Sequence, residues 1–349
     1  MVRFPIVVVG ASAGGVEAVS RVVHDLPANL PAALFVAVHF PPYSASTLPR
    51  ILSRAGRMPA SHPTDGEPIQ TGRVYVSPPD RHLIIGPERI RLGRGPKENG
   101  NRPAIDPLFR SAAVTHGPRV IGVVLTGNLD DGTSGLLAIK RRGGTAIVQD
   151  PHDAPFPSMP TSAIGHVRVD HVLPLNGIGE LIEKLVMQRL EHPAIPVSPL
   201  DAMPDAAPRE TAYAAADLNA VEDPEHHPGT PSQFGCPDCG GVLWEIKDGQ
   251  LTRFRCRVGH AYTSEGLAVR QSERLDEALW AALRALEESA SLTRFMAQRA
   301  RKQGNDVRAA NYDRDAQHAE QKASVVRDRL LLAQADERRH PDKLEVAQQ

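Results

Sequence analysis

Aromatic residues make up only 4% of this 349-residue chain, which argues against a surface built to stack nucleic-acid bases. An excess of charge of either sign is also missing. Forty Lys and Arg against 41 Asp and Glu leave a formal net charge of −1, so no global field draws the chain to nucleic acid or to an anionic membrane. No apolar run reaches the length of a membrane span, and the first one is too short for a signal sequence and lacks its flanks. A cytoplasmic protein with no membrane insertion and no nucleic-acid partner is the expectation. Cysteine is limited to three residues between positions 236 and 256. Such a set cannot lay down a disulfide framework for the whole chain, and in a cytosolic setting it points to metal. The length, by contrast, is ample for two folded units with cores of their own.

The most informative stretch is Ile6-Val7-Val8-Val9-Gly10-Ala11-Ser12-Ala13-Gly14-Gly15. A β-branched run reads as a strand buried on both faces, and the glycines allow a sharp turn into a helix. Two readings of that turn stay open. Gly10 to Gly14 fits a nucleophile elbow that presents Ser12 Oγ, and it fits equally a glycine-rich loop cradling a phosphate at a helix N-terminus. A dinucleotide fingerprint and a Walker loop are both excluded by spacing.

Up to about residue 187, apolar strands alternate with helical stretches. Strands are predicted at Ala33–Val38, Val74–Ser77, His82–Ile85, Arg119–Leu125 and Thr145–Gln149. Helices are predicted at Val16–Leu26, Thr47–Ala55, Pro107–His116, Thr133–Arg142 and Ile178–Arg189, with Asp106 placed to cap the third. This alternation means a doubly wound, mostly parallel α/β sheet with ligands outside the carboxyl ends of its strands. Ser12, His39 and Asp131 each follow a predicted buried strand at that end. Taken alone, His39 reads as a hydrogen-bonded strand-end histidine and Asp131 as a cap on the Thr133 helix. Together they supply a nucleophile, a base and a carboxylate that holds the base's tautomer.

From His192 to Ser232 eight prolines recur among Ala, Asp and Glu, the composition of a linker; the His226-His227 pair within it reads as solvated. Cys236 and Cys239, then sixteen residues, then Cys256 and His260 give C-x2-C and C-x3-H pairs on turns joined by a hairpin. That spacing suits tetrahedral zinc in a small ribbon, a closed shell that supports folding rather than catalysis. Beyond it, Leu275, Leu279, Ala282 and Leu286 begin one heptad-like stripe. Ala309, Tyr312, Ala316, Ala319, Ala323, Val326, Leu330 and Ala333 form a second, and Gly304-Asn305 separates the two. An antiparallel helical hairpin is predicted.

Several motifs together resemble the catalytic domain of the chemotaxis protein-glutamate methylesterase family, CheB. They are Gly10–Gly15, His39-Phe40-Pro41-Pro42, Tyr75–His82, Asn101–Asp106, Gly122–Gly132 and Met159-Pro160, in the family's order over roughly residues 4 to 187. The resemblance implies that Ser12, His39 and Asp131 are catalytic and that no catalytic cofactor is needed. It implies methyl-accepting chemoreceptors as substrates, methanol as product and glutamine deamidation as a side activity. The family typically has Met-Gly-Asn-Asp where this chain has Asn128-Leu129-Asp130-Asp131, which makes Asp130 a second candidate for the acid. It also usually carries an N-terminal receiver domain, whereas these motifs begin at residue 6, so phosphorylation in cis is not expected to control activity. The alternative is an inactive CheB-like ligand-binding or scaffold module. The domains expected are therefore 1–190 methylesterase, 191–232 linker, 233–265 zinc ribbon, 266–335 hairpin and 336–349 charged tail. The extension from the ribbon onward is the expected surface for signalling partners.

Overall fold

The computed structural model describes residues 4–41, 46–191, 206–216 and 229–339. The linker stretches 192–205 and 217–228, with His226-His227, and the tail beyond 339 lie outside the described residues. Two compact units divide the chain, Met1–Leu267 and Ala268–Gln349.

The first unit is built on a sheet of seven strands, β1 (Ile6–Ala11), β2 (Ala33–Val38), β3 (Ala60–Ser61), β4 (Arg73–Val76), β7 (Val120–Val124), β8 (Thr145–Gln149) and β9 (His171–Leu173). Their order is β3-β4-β2-β1-β7-β8-β9 and every pairing is parallel. A separate antiparallel hairpin is formed by β5 (His82–Ile85) and β6 (Ile90–Gly93). The continuous apolar run of β1 is explained by cover on both faces. Ile6 and Val8 pack into a core with α3 (Ile105–His116), α4 (Thr133–Arg141) and α5 (Ser158–His166). Val7, Val9 and Ala11 pack into the opposite core with α1 (Gly15–Asp25), α2 (Leu48–Ala55) and α6 (Leu175–Glu191). Each fully buried Val, Leu or Ile contributes about 1.5–3 kcal/mol, so these two cores carry the unit. The chain leaves β1 for β2 on one side and returns for β7 on the other. The crevice at the carboxyl ends of β1 and β7 is therefore the topological switch point, where such sheets place ligands.

Four antiparallel strands follow: β10 (Thr230–Gly235), β11 (Val242–Asp248), β12 (Leu251–Cys256) and β13 (Ala261–Thr263). They belong to the first unit. Within the stretch read from sequence as linker, Ala207–Ala214 forms a helix, α7. Its Glu210, Tyr213 and Ala214 are buried, because Glu210 meets arginines of β12 and α3 that local periodicity does not reveal.

The second unit is a hairpin of helices α8 (Ser264–Lys302, entering from the first unit) and α9 (Asp306–Arg339), joined at Gly304-Asn305. Its seam uses Leu279, Leu283 and Leu286 of α8 against Ala323, Val326 and Leu330 of α9. The stripe read from sequence is shifted on α8: Leu275 is 59% exposed and Ala282 is exposed, while Leu283 is buried. On α9 Ala309, Ala316, Ala323 and Leu330 are buried as the pattern predicts.

Candidate active site

Register brings the first two residues together. Ala11 at the end of β1 lies opposite Val38 at the end of β2, so Ser12 and His39 leave the sheet side by side. The turn after β1 is held by Ser12 N–H donating to Thr126 O at 3.0 Å, and by Gly15 N–H donating to Ser12 O at 2.8 Å. Gly14 adopts φ 69°, where a side chain is strained. Gly127 is needed for a different reason: a Cβ there would stand 2.2 Å from Met159 Sδ and 2.8 Å from Ser12 Cβ.

Ser12 Oγ lies 3.0 Å from His39 Nδ1, and His39 Nε2 lies 2.7 Å from Asp131 Oδ2. With the ring proton on Nε2, donated to Asp131, Nδ1 is free to accept from the serine hydroxyl. The His39 side chain is 11% exposed and Asp131 2%, so the imidazole stands at the rim and the carboxylate beneath it. Asp130 turns elsewhere, facing Thr263 and Glu265; burial and the Glu265 carboxyl push it well above the usual carboxylate range. Preceding both acids, Leu129 takes φ 60°, a left-handed conformation that costs a non-glycine residue about 1–2 kcal/mol.

Asp131 is held from all sides. Its Oδ2 accepts Ile105 N–H at 2.7 Å as well as His39, and its Oδ1 accepts Asp106 N–H at 3.1 Å and Asn99 Nδ2–H at 3.2 Å. It therefore caps α3, whereas the sequence suggested a cap on α4. Asp106 does the reverse: its Oδ1 accepts Gly132 N–H at 3.1 Å and Gly135 N–H at 2.6 Å, capping α4 rather than its own helix. The swap follows from close packing of α3 on α4, which points each carboxylate at the other helix's unpaired amides. Burial alone would raise Asp131, but the His39 hydrogen bond and charge, with the two amides, hold it below the usual range. For Asp106, burial and the neighbouring Asp131 charge prevail and push it up to about 7. Asn99 carries no sequence signal of its own, and the cap predicted for Asp106 falls on α4 instead of its own helix. The only signal was the placement of both in or beside the Asn101–Asp106 motif.

Cys236, Cys239, Cys256 and His260 converge in the ribbon, their ligand atoms all within 4.8 Å of one another. Cys239 Sγ to Cys256 Sγ is 3.7 Å, Cys236 Sγ to His260 Nδ1 is 3.7 Å, and Cys256 Sγ to His260 Nδ1 is 3.5 Å. Tetrahedral zinc with usual bond lengths would set thiolate pairs about 3.8 Å apart and thiolate–imidazole pairs about 3.5 Å apart. The donor set and its spacing fit such an ion.

The sequence pattern of the CheB methylesterase family matches residues 7–182. The chain belongs to that family. A relative from Leptospira interrogans is 37% identical over 191 residues, covering 54% of this chain and 99% of the relative. A Methanosarcina mazei protein named protein-glutamate methylesterase/protein-glutamine glutaminase 2 is 34% identical over 189 residues, 52% of each chain. Among solved structures, the CheB methylesterase catalytic domain of Thermotoga maritima is similar at a TM-score of 0.52 and 34% identity, covering 53% of this chain and 100% of that one. The ribbon and hairpin lie beyond the residues the family pattern matches. No described helix is long and apolar enough to cross a membrane.

Proposed function

We propose that this protein is a cytoplasmic serine hydrolase that removes methyl groups from glutamate methyl esters on methyl-accepting chemoreceptors or related sensory proteins. Ser12 is the nucleophile, His39 the general base and acid, and Asp131 the carboxylate that orients His39 and stabilises its charged form. Ser12 Oγ attacks the ester carbonyl while its proton passes to His39 Nδ1. The tetrahedral intermediate collapses, the C–OCH3 bond breaks, and His39 returns the proton so that methanol leaves. Water, deprotonated by the same imidazole, then hydrolyses the acyl-serine to free glutamate. A glutamine side chain offers the same carbonyl with ammonia as leaving group, so deamidation follows the same path.

The developing oxyanion needs donors. Gly15 N–H is already committed to Ser12 O, so the donors assigned here are the amides of Ala13 and Gly14, which have no acceptor among the described residues. Losing one such donor costs on the order of 3 kcal/mol. Cys236, Cys239, Cys256 and His260 would hold a structural zinc whose contribution is to fold the ribbon; the chemistry at Ser12 requires no cofactor. The observation that carries this reading is the unbroken hydrogen-bonded path from Ser12 through His39 to Asp131 at the switch point of the sheet.

The test is to incubate the purified chain with the methyl-esterified cytoplasmic domain of a chemoreceptor, and separately with its glutamine form, and to assay methanol and ammonia. Methanol release is expected, with slower ammonia release. A chain that binds the receptor and releases neither is the scaffold of the alternative reading.

A further inference from the structure

We propose that the Cys3His ribbon is a positioning element of the Ser12 site, acting through Asn99 on Asp131, so that metal occupancy of the ribbon sets how well the site works; this rests on the hydrolase reading above. The connection is built of named bonds. Asn99 is buried and left-handed at φ 49°, a conformation asparagine adopts more readily than most residues, in a tight turn closed by the backbones of Glu98 and Asn101. Two bonds tie it to β13: Asn99 N–H donates to Ala261 O at 2.7 Å, and Thr263 N–H donates to Asn99 Oδ1 at 3.1 Å.

The second bond decides which way the side-chain amide faces. Only Oδ1 can accept from Thr263 N–H, so Nδ2 must point the other way, where it meets Asp131 Oδ1 at 3.2 Å and Asp106 Oδ2 at 3.4 Å. Turned over, the amide would set its oxygen against two carboxylates and its NH2 against an N–H donor. The strand of the ribbon therefore dictates that Asp131 receives a donor.

β13 is in turn continuous with the metal knuckle. Ala261 follows His260, and Cys256 N–H donates to His260 O at 2.9 Å. Arg255, next to Cys256, reaches Glu98, next to Asn99, at 3.1 Å with both side chains buried. Adjacent residues on the ribbon thus grip adjacent residues beside the site. The ribbon's own apolar cluster is small, comprising Cys236, Leu243, Phe254, Cys256, Tyr262 and Leu267. A core of that size needs a staple, and two of its members are among the four ligands. Without metal, the knuckle loosens first, β13 with it, and Asn99 loses the partner that orients it. Asp131 keeps His39 and two backbone amides, so the site is weakened rather than dismantled.

The full chain is assayed for phosphonylation of Ser12 by a fluorophosphonate, separating the limiting rate from the affinity for the reagent. Four samples are compared: zinc-loaded and chelator-treated wild type, and the same two states of Asn99→Ala. Zinc content and hydrogen-exchange protection of the Thr263 amide are followed alongside. Asn99→Ala with full zinc is expected to lose about ten- to a hundredfold in limiting rate at unchanged affinity, the worth of one hydrogen bond to a charged group. Chelation should strip protection from Thr263 and slow the wild type by a similar factor, yet slow Asn99→Ala little further, because the route is already cut. Equal slowing of both proteins by chelation, or none in either, overturns the proposal while leaving the hydrolase reading intact. Absence of Ser12 labelling in zinc-loaded wild type overturns both.

Discussion

Arg110 meets Glu98 at 2.6 Å in the first unit, and Arg294 meets Glu320 at 2.7 Å in the helical hairpin, yet the first pair is 1% and 2% exposed and the second 54% and 44%. The distances match and the surroundings do not. In the first unit Arg110, Arg253 and Arg255 alternate with Glu98 and Glu210, joining α3, α7 and β12 in one buried network. Burial by itself would raise Glu210, but the three arginine charges outweigh it and hold the carboxyl well below its usual range. In the hairpin the pairs Arg294–Glu320, Arg301–Asp313 and Arg327–Glu287 lie in solvent, while Ala290, Ala297, Ala309, Ala316 and Ala323 are buried. A charge withdrawn from water must be matched or the fold suffers, whereas one left in water is nearly indifferent to its partner.

Breaking the buried network should therefore have the largest effect. Glu210→Ala leaves three buried guanidiniums short of one carboxylate, and a loss of about 3–5 kcal/mol is expected. Urea unfolding read at Trp244 of β11, in a Trp280→Phe background that makes it the sole tryptophan, measures this. An unshifted midpoint would show that the network tolerates imbalance.

Asp106 sharpens the comparison, since it is as buried as Glu98 but hydrogen-bonds amides instead of guanidiniums. It titrates near 7 when folded and near the usual 4 when unfolded. Between those values the folded state holds the extra proton. The contribution of Asp106 to stability is thus fully present below about pH 4 and is lost as pH rises through about 7. The difference in unfolding midpoint between wild type and Asp106→Asn should change across that window and be flat outside it. A difference independent of pH would mean that Asp106 is ionised throughout.

The smallest effect belongs to the hairpin. Arg294→Ala removes a pair of good geometry, yet thermal unfolding of the helices should stay within the scatter of wild type. A clear destabilisation would erase the distinction between the two regions.

The same contrast explains what could be read from sequence. Strands such as Ile6–Ala11 and Ala33–Val38 declare themselves as unbroken apolar runs, and Ser12, His39 and Asp131 stand out because each follows such a run. The convergence of Cys236, Cys239, Cys256 and His260 is legible from their spacing, as is the α9 stripe. The α8 stripe slipped because Leu275 and Ala282 satisfy the same period as Leu279 and Leu286 without reaching the seam. Helix α7 was hidden inside a proline-rich stretch because what anchors it is Glu210 meeting arginines far away in the chain. Asn99 and the exchanged caps of Asp131 and Asp106 were illegible for a related reason: each depends on which element packs opposite, and no local pattern encodes that.

The most direct test of the central claim is methanol release from a methyl-esterified chemoreceptor domain by wild type and by Ser12→Ala, with folding of both verified by circular dichroism. A fall of at least about a thousandfold in the variant is predicted, because the pathway loses its nucleophile while the fold remains. Release by folded Ser12→Ala at the wild-type rate would contradict the account.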